Sequence, residues 1–321
     1  MGETITTGTR AMVPAGPVSE RTREYLAASK APRTVRAYRS DLADFEAWCA
    51  ESGRAPLPAD PATVADYISA QAEQGRTAAT ITRRLSAISQ AHRMAGYASP
   101  THDQLVRSTT AGIRRTIGTA PRQARPVMVE DLRAMLAALP DDLHGLRDRA
   151  LLLVGFAAGM RRSELVALDV ADVAEEAEGL RVTIRRSKTD QEGVGREVGI
   201  VRGRVPLTDP VAAVREWRAA AGISDGALFR SVDRGDRVGE RLSDKGVARI
   251  VRAAAIRAGL DPERLSGHSL RAGLATSAAA AGAPETAIMR TTGHRSTAMV
   301  RRYIRAGNLF TESASRFLLA L

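Results

Sequence analysis

Apolar residues recur every three or four positions along the first third of the chain. Val35, Tyr38, Leu42, Phe45 and Trp48 form one such stripe, the spacing of a helix that buries one face. Ala31-Pro32-Arg33-Thr34 opens this helix, which is expected to run to about Ser52. Asp60-Pro61 reads as an N-cap followed by proline at the first helical position, and predicts a second helix to Gln74. Thr77 or Thr80 starts another, with Ile81, Leu85, Ile88 and Ala91 on one face, and His102 to Ile117 supplies the last. Residues 18–117 are therefore expected to form a compact all-helical domain, with helices of about 10–20 residues each.

The period changes in the second half. Helices are predicted at Val129–Leu139, Leu143–Ala158 and Arg162–Leu168. Leu180, Val182 and Ile184 then alternate with polar residues, and Glu197 to Val201 is β-prone again, with Gly193 and Gly195 between the two runs. This pattern predicts a β-hairpin. Helices resume at Asp209-Pro210 and at Ser243-Asp244, each with a capping residue, and continue with breaks to the C-terminus. Gly307-Asn308 breaks the penultimate helix. Leu309 to Leu321 reads as a short terminal one, with Thr311 or Ser313 near its start and an apolar side of Phe310, Phe317, Leu318 and Leu321. The expected organisation is a flexible tail at 1–17, a helical domain at 18–117, a Pro-, Gly- and Arg-containing linker at 118–126, and a second domain at 127–321. The fold class is mainly α with a small β-hairpin or three-stranded sheet, an α+β second domain following an all-helical first one.

Composition narrows the classes. The 321 residues suggest about two domains, and 44% hydrophobic residues argue against global disorder. No apolar run approaches the ~18 residues of a membrane span; the longest, near Ala150 to Ala158, suits a buried helix. Met1 to Gly16 lacks a signal-peptide pattern, so a cytoplasmic protein without membrane association is expected. Cys49 is the single cysteine, which excludes disulfide frameworks and Cys-based zinc sites. The net charge of +11 makes a polyanion the expected partner. Only three of the 47 basic residues are lysines (Lys30, Lys188 and Lys245), so an arginine-biased composition is a competing explanation for that charge.

Four short patches in the second domain carry chemistry: Gly159-Met160-Arg161-Arg162-Ser163-Glu164-Leu165; Ser187-Lys188-Thr189 in the hairpin; Gly267-His268-Ser269-Leu270-Arg271; and Thr292-Gly293-His294, followed by Tyr303. Each residue alone has a bland reading. Arg161 could be a solvated cation, His268 and His294 satisfied structural histidines, and Tyr303 a half-buried packing residue. The joint pattern decides otherwise. Phosphoryl transfer builds negative charge on non-bridging oxygens, which fixed cations stabilise. Guanidinium forks such as Arg161 and Arg271 bind phosphate bidentately. His268 lies three residues before Arg271, so one helical turn can aim both at one phosphate. His294 can add a hydrogen bond from a helix start. Glu164, as a helical neighbour of Arg161, is placed to orient it.

In this order the residues resemble the tyrosine recombinase, or phage integrase, family, whose pattern is Arg, Lys, His-x-x-Arg, His or Trp, and Tyr. All six positions are filled, by Arg161, Lys188, His268, Arg271, His294 and Tyr303. The helical first domain resembles the family's SAM-like core-binding domain, so the resemblance covers nearly the whole chain. Domain sizes and Tyr303-Ile304-Arg305 followed by a last helix resemble the Cre type, whereas His294 stands where that type carries tryptophan and Xer-type members carry histidine. The resemblance implies a site-specific recombinase that cleaves duplex DNA through a 3′-phosphotyrosine at Tyr303, passes through a Holliday junction and rejoins without ATP. It implies Lys188 as general acid, no metal or other cofactor, and association with the nucleoid when on DNA. It also implies a monomer when free and a homotetramer on the synapse, with the terminal helix docked on a neighbouring subunit. Two alternatives stay open: a type IB topoisomerase using the same nucleophile, and a DNA-binding protein without catalysis.

Overall fold

The computed structural model describes residues 19–120, 124–187, 190, 194–309 and 312–319. The expected tail at 1–17 and the linker residues Pro121, Arg122 and Gln123 lie outside the described residues. The chain divides into two units, Met1–Arg122 and Gln123–Leu321.

The first unit is helical throughout its described length: α1 (Glu20–Ala28), α2 (Pro32–Glu51), α3 (Pro61–Glu73), α4 (Ala78–Met94) and α5 (Gln104–Ile117). Its helix starts follow the capping chemistry. The Asp60 carboxylate accepts the Thr63 N–H at 2.6 Å ahead of Pro61, and the Thr77 hydroxyl accepts from Thr80 N, which makes Thr77 rather than Thr80 the cap. His102 does not begin α5; it ends a single 3-10 turn (Pro100–His102), and Asp103 caps the helix. Phe45, Val64, Tyr67, Ile68, Ile81, Ile88 and Val106 form the core. A buried polar knot crosses it. Arg84 of α4 donates to Asp44 of α2 and to Tyr67 and Gln71 of α3, satisfying groups whose burial would otherwise be costly. His92 of α4 is buried as well. Its Nε2 accepts the Ala59 N–H at 2.9 Å, so its Nδ1 carries the proton and donates to the Ile88 carbonyl at 2.9 Å.

The second unit is α+β. Its helices are α6 (Val129–Ala137), α7 (Leu143–Ala157), α8 (Arg162–Ala167), α9 (Pro210–Ala220), α10 (Asp244–Arg257), α11 (Gly267–Ala280), α12 (Glu285–Thr292), α13 (Thr297–Gly307) and α14 (Ser315–Leu319). The strands are β1 (Val173–Glu175), β2 (Gly179–Ile184), β3 (Arg196–Val201), β4 (Arg230–Val232) and β5 (Val238–Arg241). The apolar run expected to be a buried helix is α7, whose Ala150 to Val154 are all buried. The alternation in β2 and β3 points Leu180, Val182, Ile184, Val198 and Ile200 into the core. The two strands pair antiparallel, with Leu180 opposite Ile200 and Ile184 opposite Arg196. β1 joins the other edge of β2, giving the order β1-β2-β3. The separate β4-β5 pair was not legible in the pattern, because its short strands bury no residue and only Val232 and Val238 are its apolar members.

The C-terminal segment departs from expectation. The helix carrying Tyr303 does end at Gly307 with Asn308 as C-cap. However, α14 starts at Ser315 rather than near Leu309, and is described through Leu319. Residues before it are consumed in a turn: Glu312 N donates to Asn308 O at 2.9 Å, and the Asn308 amide donates to the Glu312 carboxylate at 2.5 Å. Ser313 then accepts from Ser315 N at the start of α14. Phe310, Thr311 and Leu321 lie outside the described residues, and Leu318 is 74% exposed.

Candidate active site

Arg161 is held by a sharp entry into α8. It is the N-cap, in an extended conformation (φ −72°, ψ 150°), just ahead of the helix expected to start at Arg162. Glu164, at the third helical position, accepts the Arg161 N–H at 3.0 Å and its Nη1 at 2.5 Å. The carboxylate is buried, with a side chain 1% exposed, against 18% for Arg161. Backbone and guanidinium of Arg161 are thus fixed by one side chain.

His268 and Arg271 lie about one turn apart at the N-terminal end of α11. Ser266 caps this helix by accepting the His268 N–H, which leaves the positive end of the helix beside both residues. Arg271 is among the largest fully buried side chains. Its Nη1 donates to Gly159 O at 2.8 Å and also to Thr292 O. Its Nη2 is buried and has no partner among the described residues, a donor available to an anion. Burial, and next the nearby Arg161 cation, push the Arg271 pKa down to about 10, which leaves the guanidinium charged at neutral pH.

His294 follows the C-cap of α12 and precedes α13, so it sits in a turn and not at a helix start. Gly293 makes that turn in the left-handed region (φ 66°, ψ 38°), where a side chain is disfavoured. The Thr292 hydroxyl donates to Ile288 O at 2.6 Å and lies 2.7 Å from His294 Nδ1. With its own proton committed, Thr292 accepts from Nδ1–H. Burial first, then Arg271 and Arg161, bring the His294 pKa down to about 4.

α13 delivers Tyr303. Val300 of this helix is fully buried with Ala275, Ala279 and Ile288, and Tyr303 and Ile304 pack against that cluster. Gly307 permits the close approach: a Cβ there would lie 2.6 Å from Thr276 O of α11. Tyr303 is half-buried. Its hydroxyl lies 3.2 Å from His268 Nε2, and its ring centroid 5.8 Å from that of His294. The His268 pKa is lowered by burial and then by Arg271, Arg161 and Arg162, so its neutral form, a proton acceptor, is favoured.

The structure therefore gathers Arg161, Glu164, His268, Arg271, His294 and Tyr303 from α8, α11, the α12–α13 turn and α13. Lys188 lies outside the described residues; it belongs to the connection between β2 and β3, whose ends pair at Ile184 and Arg196. Two contributors had escaped the sequence reading. Arg196 reaches from β3 to Thr291 O at 2.6 Å and Thr292 O at 3.4 Å. Nothing in the sequence distinguishes it from the other arginines. Thr292 lay inside a recognised patch, but its orienting bond to His294 depends on the turn. Among the described residues no group of His, Cys, Asp and Glu is placed to hold a metal ion, and no helix is long and apolar enough to cross a membrane.

Comparison with known proteins places this geometry. The phage integrase family model matches residues 127–308, and the phage integrase N-terminal SAM-like domain matches residues 22–96. The chain belongs to the phage integrase family. Among curated relatives of this phage integrase, an integrase/recombinase XerD homolog of Selenomonas ruminantium is 40% identical over 303 residues, covering 92% of this chain and 88% of the relative. Tyrosine recombinase XerD of Xanthomonas axonopodis pv. citri (strain 306) is 31% identical, covering 85% and 87%. Among solved structures, a XerH site-specific recombinase bound to its palindromic difH substrate in a post-cleavage complex superposes with TM-score 0.69 at 18% identity, covering 93% of this chain and 83% of that one. A lambda integrase dimer bound to a COC′ core site gives 0.60 at 17% identity, covering 88% and 75%. The integrase is thus an Xer-type tyrosine recombinase by sequence, and shares the fold of these DNA-bound enzymes.

Proposed function

We propose that this protein is a site-specific recombinase of duplex DNA in which Tyr303 is the nucleophile and Arg161, Lys188, His268, Arg271 and His294 act on the transferring phosphate. One observation carries the reading: the Tyr303 hydroxyl lies 3.2 Å from His268 Nε2, beside two guanidiniums held by backbone carbonyls and a buried carboxylate. Tyr303 Oη attacks phosphorus as its proton passes to neutral His268. The bond from phosphorus to the 5′-oxygen breaks, and Lys188 donates the proton that the leaving oxygen needs. The product is a 3′-phosphotyrosine and a free 5′-hydroxyl; reversal with a second strand's hydroxyl rejoins DNA without ATP. Arg161 and Arg271 stabilise the charge on the non-bridging oxygens, and Glu164 keeps Arg161 aimed. Two Xer-type relatives, a DNA-bound XerH and a DNA-bound lambda integrase support DNA as the partner. On DNA we infer a dimer on one site and a tetramer on a synapse, joined by the C-terminal segment, with strand exchange through a Holliday junction.

The test uses a nicked duplex carrying a site recovered from DNA that Tyr303→Phe protein binds. Wild-type protein is expected to become covalently attached to the duplex. Tyr303→Phe should bind with unchanged affinity and give no attachment, since only the hydroxyl is lost. Attachment by the variant within tenfold of wild type sinks the nucleophile assignment.

A further inference from the structure

We propose that Arg196 is a positioning residue for strand cleavage: it locks Glu164, and through it Arg161, to the turn that receives Arg271 and carries His294. The inference rests on the reading of the site given above. Arg196 is the first residue of β3, opposite Ile184 in register, so it stands at the base of the connection that bears Lys188. Its Nη1 donates to Thr291 O at 2.6 Å, and its Nη2 lies 3.4 Å from Thr292 O and 3.5 Å from the Glu164 carboxylate. Arg271 donates to the same Thr292 carbonyl. Two guanidiniums thus share one carbonyl, and the carboxylate that holds Arg161 also faces Arg196.

A solvated surface arginine would not be found here. The Arg196 side chain is only 20% exposed, and its Nε is buried without a partner among the described residues. Burying a cation near Arg161 and Arg271 is costly unless the geometry returns something. Burial lowers its pKa, and Glu164 opposes that shift. An independent observation agrees: Gly293, the residue beside His294, has no side chain where a Cβ would lie 2.7 Å from Arg196 Nε. The turn is shaped around the guanidinium. Lysine could not reproduce the contacts, because a single ammonium lacks the planar fork that reaches two successive carbonyls and a carboxylate together. The bland alternative is that Arg196 only fastens β3 to α12. That role would affect melting and leave the losses of the Arg196 and Glu164 variants independent of each other.

The experiment compares full-length wild type with Arg196→Gln, Arg196→Lys, Glu164→Gln and the Arg196→Gln/Glu164→Gln double variant. Covalent attachment to the nicked duplex is followed at saturating protein, and His294 is titrated by NMR in the DNA-free protein. Arg196→Gln should slow attachment by ~10–100-fold with DNA affinity nearly unchanged, the usual size of losing a group that orients a reacting one, and Arg196→Lys should recover part of that. The double variant should lose less than the product of the single losses, because both act on Arg161. His294 is faced by Arg271 and His268 of α11, Arg161 of α8, Arg196 of β3 and Tyr303 of α13; removing the Arg196 charge should move its titration to higher pH. Attachment within about threefold of wild type, multiplicative losses in the double variant, or an unmoved His294 titration each overturns the proposal. Should Arg196→Gln not fold, Arg196→Lys, which keeps the charge but not the planar fork, decides by the attachment rate alone. Absence of attachment by the wild type would instead count against the recombinase reading, and the DNA-free titration would still decide where Arg196 acts.

Discussion

At the scale of single residues, the bond between Thr292 and His294 sets the proton inventory of the site. Thr292 spends its hydroxyl proton on Ile288 O, so neutral His294 carries its proton on Nδ1 and offers a bare Nε2. Donation from Nε2 to a phosphate oxygen requires a second proton. The free protein resists this, with a His294 pKa near 4 caused by burial and then by Arg271 and Arg161. A bound phosphate offsets those cations and raises the pKa. The bound state then holds more protons than the free state, so affinity should fall as pH rises through the bound-state pKa. Calorimetry in buffers of different ionisation enthalpy should detect proton uptake on DNA binding, reduced in His294→Gln; equal uptake by the two proteins would exclude this route. Arg161→Ala and Arg271→Ala should each slow cleavage by ~10²–10³-fold, the scale of losing a preorganised donor, while binding changes far less; near-normal attachment rates would contradict the electrostatic account. The residues with distinctive types in a fixed order were legible in the sequence. Arg196 was not, because its importance comes from a register that places it beside Thr291 and Glu164, and one arginine in an arginine-rich chain carries no mark.

At the scale of elements, capping and periodicity gave the helices because both are local. The reading of α2, α3 and α7 rested on stripes and caps that the structure reproduces. The elements it missed or misjudged are those decided by tertiary contact: the polar β4-β5 pair, the turn that carries His294, and the late start of α14. Gly307 shows the difference. It reads locally as a helix breaker, yet in place it is the contact by which α13 lies against α11. Gly307→Val should therefore push α13 away from Thr276 O and slow attachment at Tyr303 more than tenfold, with overpacking costing ~1–3 kcal/mol in stability. A normal attachment rate would show that α13 has freedom the packing denies. The first unit has its own pH-dependent link. His92 is buried as an acceptor of the Ala59 N–H, and burial lowers its pKa from 6.5. The unfolded chain thus takes up a proton that the folded one refuses, so this contribution is present above about pH 6.5 and lost as pH falls. His92→Leu should cost ~1–3 kcal/mol near neutral pH by leaving a buried N–H unpaired, and should melt with a smaller loss between pH 7.5 and 5 than wild type. Parallel losses in the two proteins would assign the acid sensitivity elsewhere.

At the scale of the whole molecule, the proposed assembly and the candidate active site meet at the C-terminal end of α13. Tyr303 sits on the last helix that packs firmly on the second unit, and the chain after Asn308 changes character. Leu309 and Leu318 are 64% and 74% exposed, and α14 is a short helix reached through a turn held by Asn308 and Glu312. Large apolar side chains left in water favour a partner surface; in the proposed tetramer that surface belongs to a neighbouring copy, by cyclic exchange around two duplexes. The packing gives this a mechanical consequence. α13 is anchored at Val300 and at the Gly307 contact, so docking of the following segment pulls on a helix that already presents Tyr303 to His268. In the proposed tetramer, engagement acts on Tyr303 through one turn of helix, and the expected coupling between assembly and cleavage follows from that short path. A chain ending at Asn308 keeps the Gly307 contact and all six family-pattern residues, and removes the docking segment. It should bind a single site with unchanged affinity, since Arg316 is the one basic residue removed. It should remain monomeric on that site where the full chain forms dimers, and should give neither tetramers on paired sites nor recombinant product. Analytical ultracentrifugation with one and two sites, beside a recombination assay, reads both properties. A truncated protein that assembles tetramers and recombines at the wild-type rate would show that the segment is not the coupling element, and would shift that role to the first unit's own surfaces.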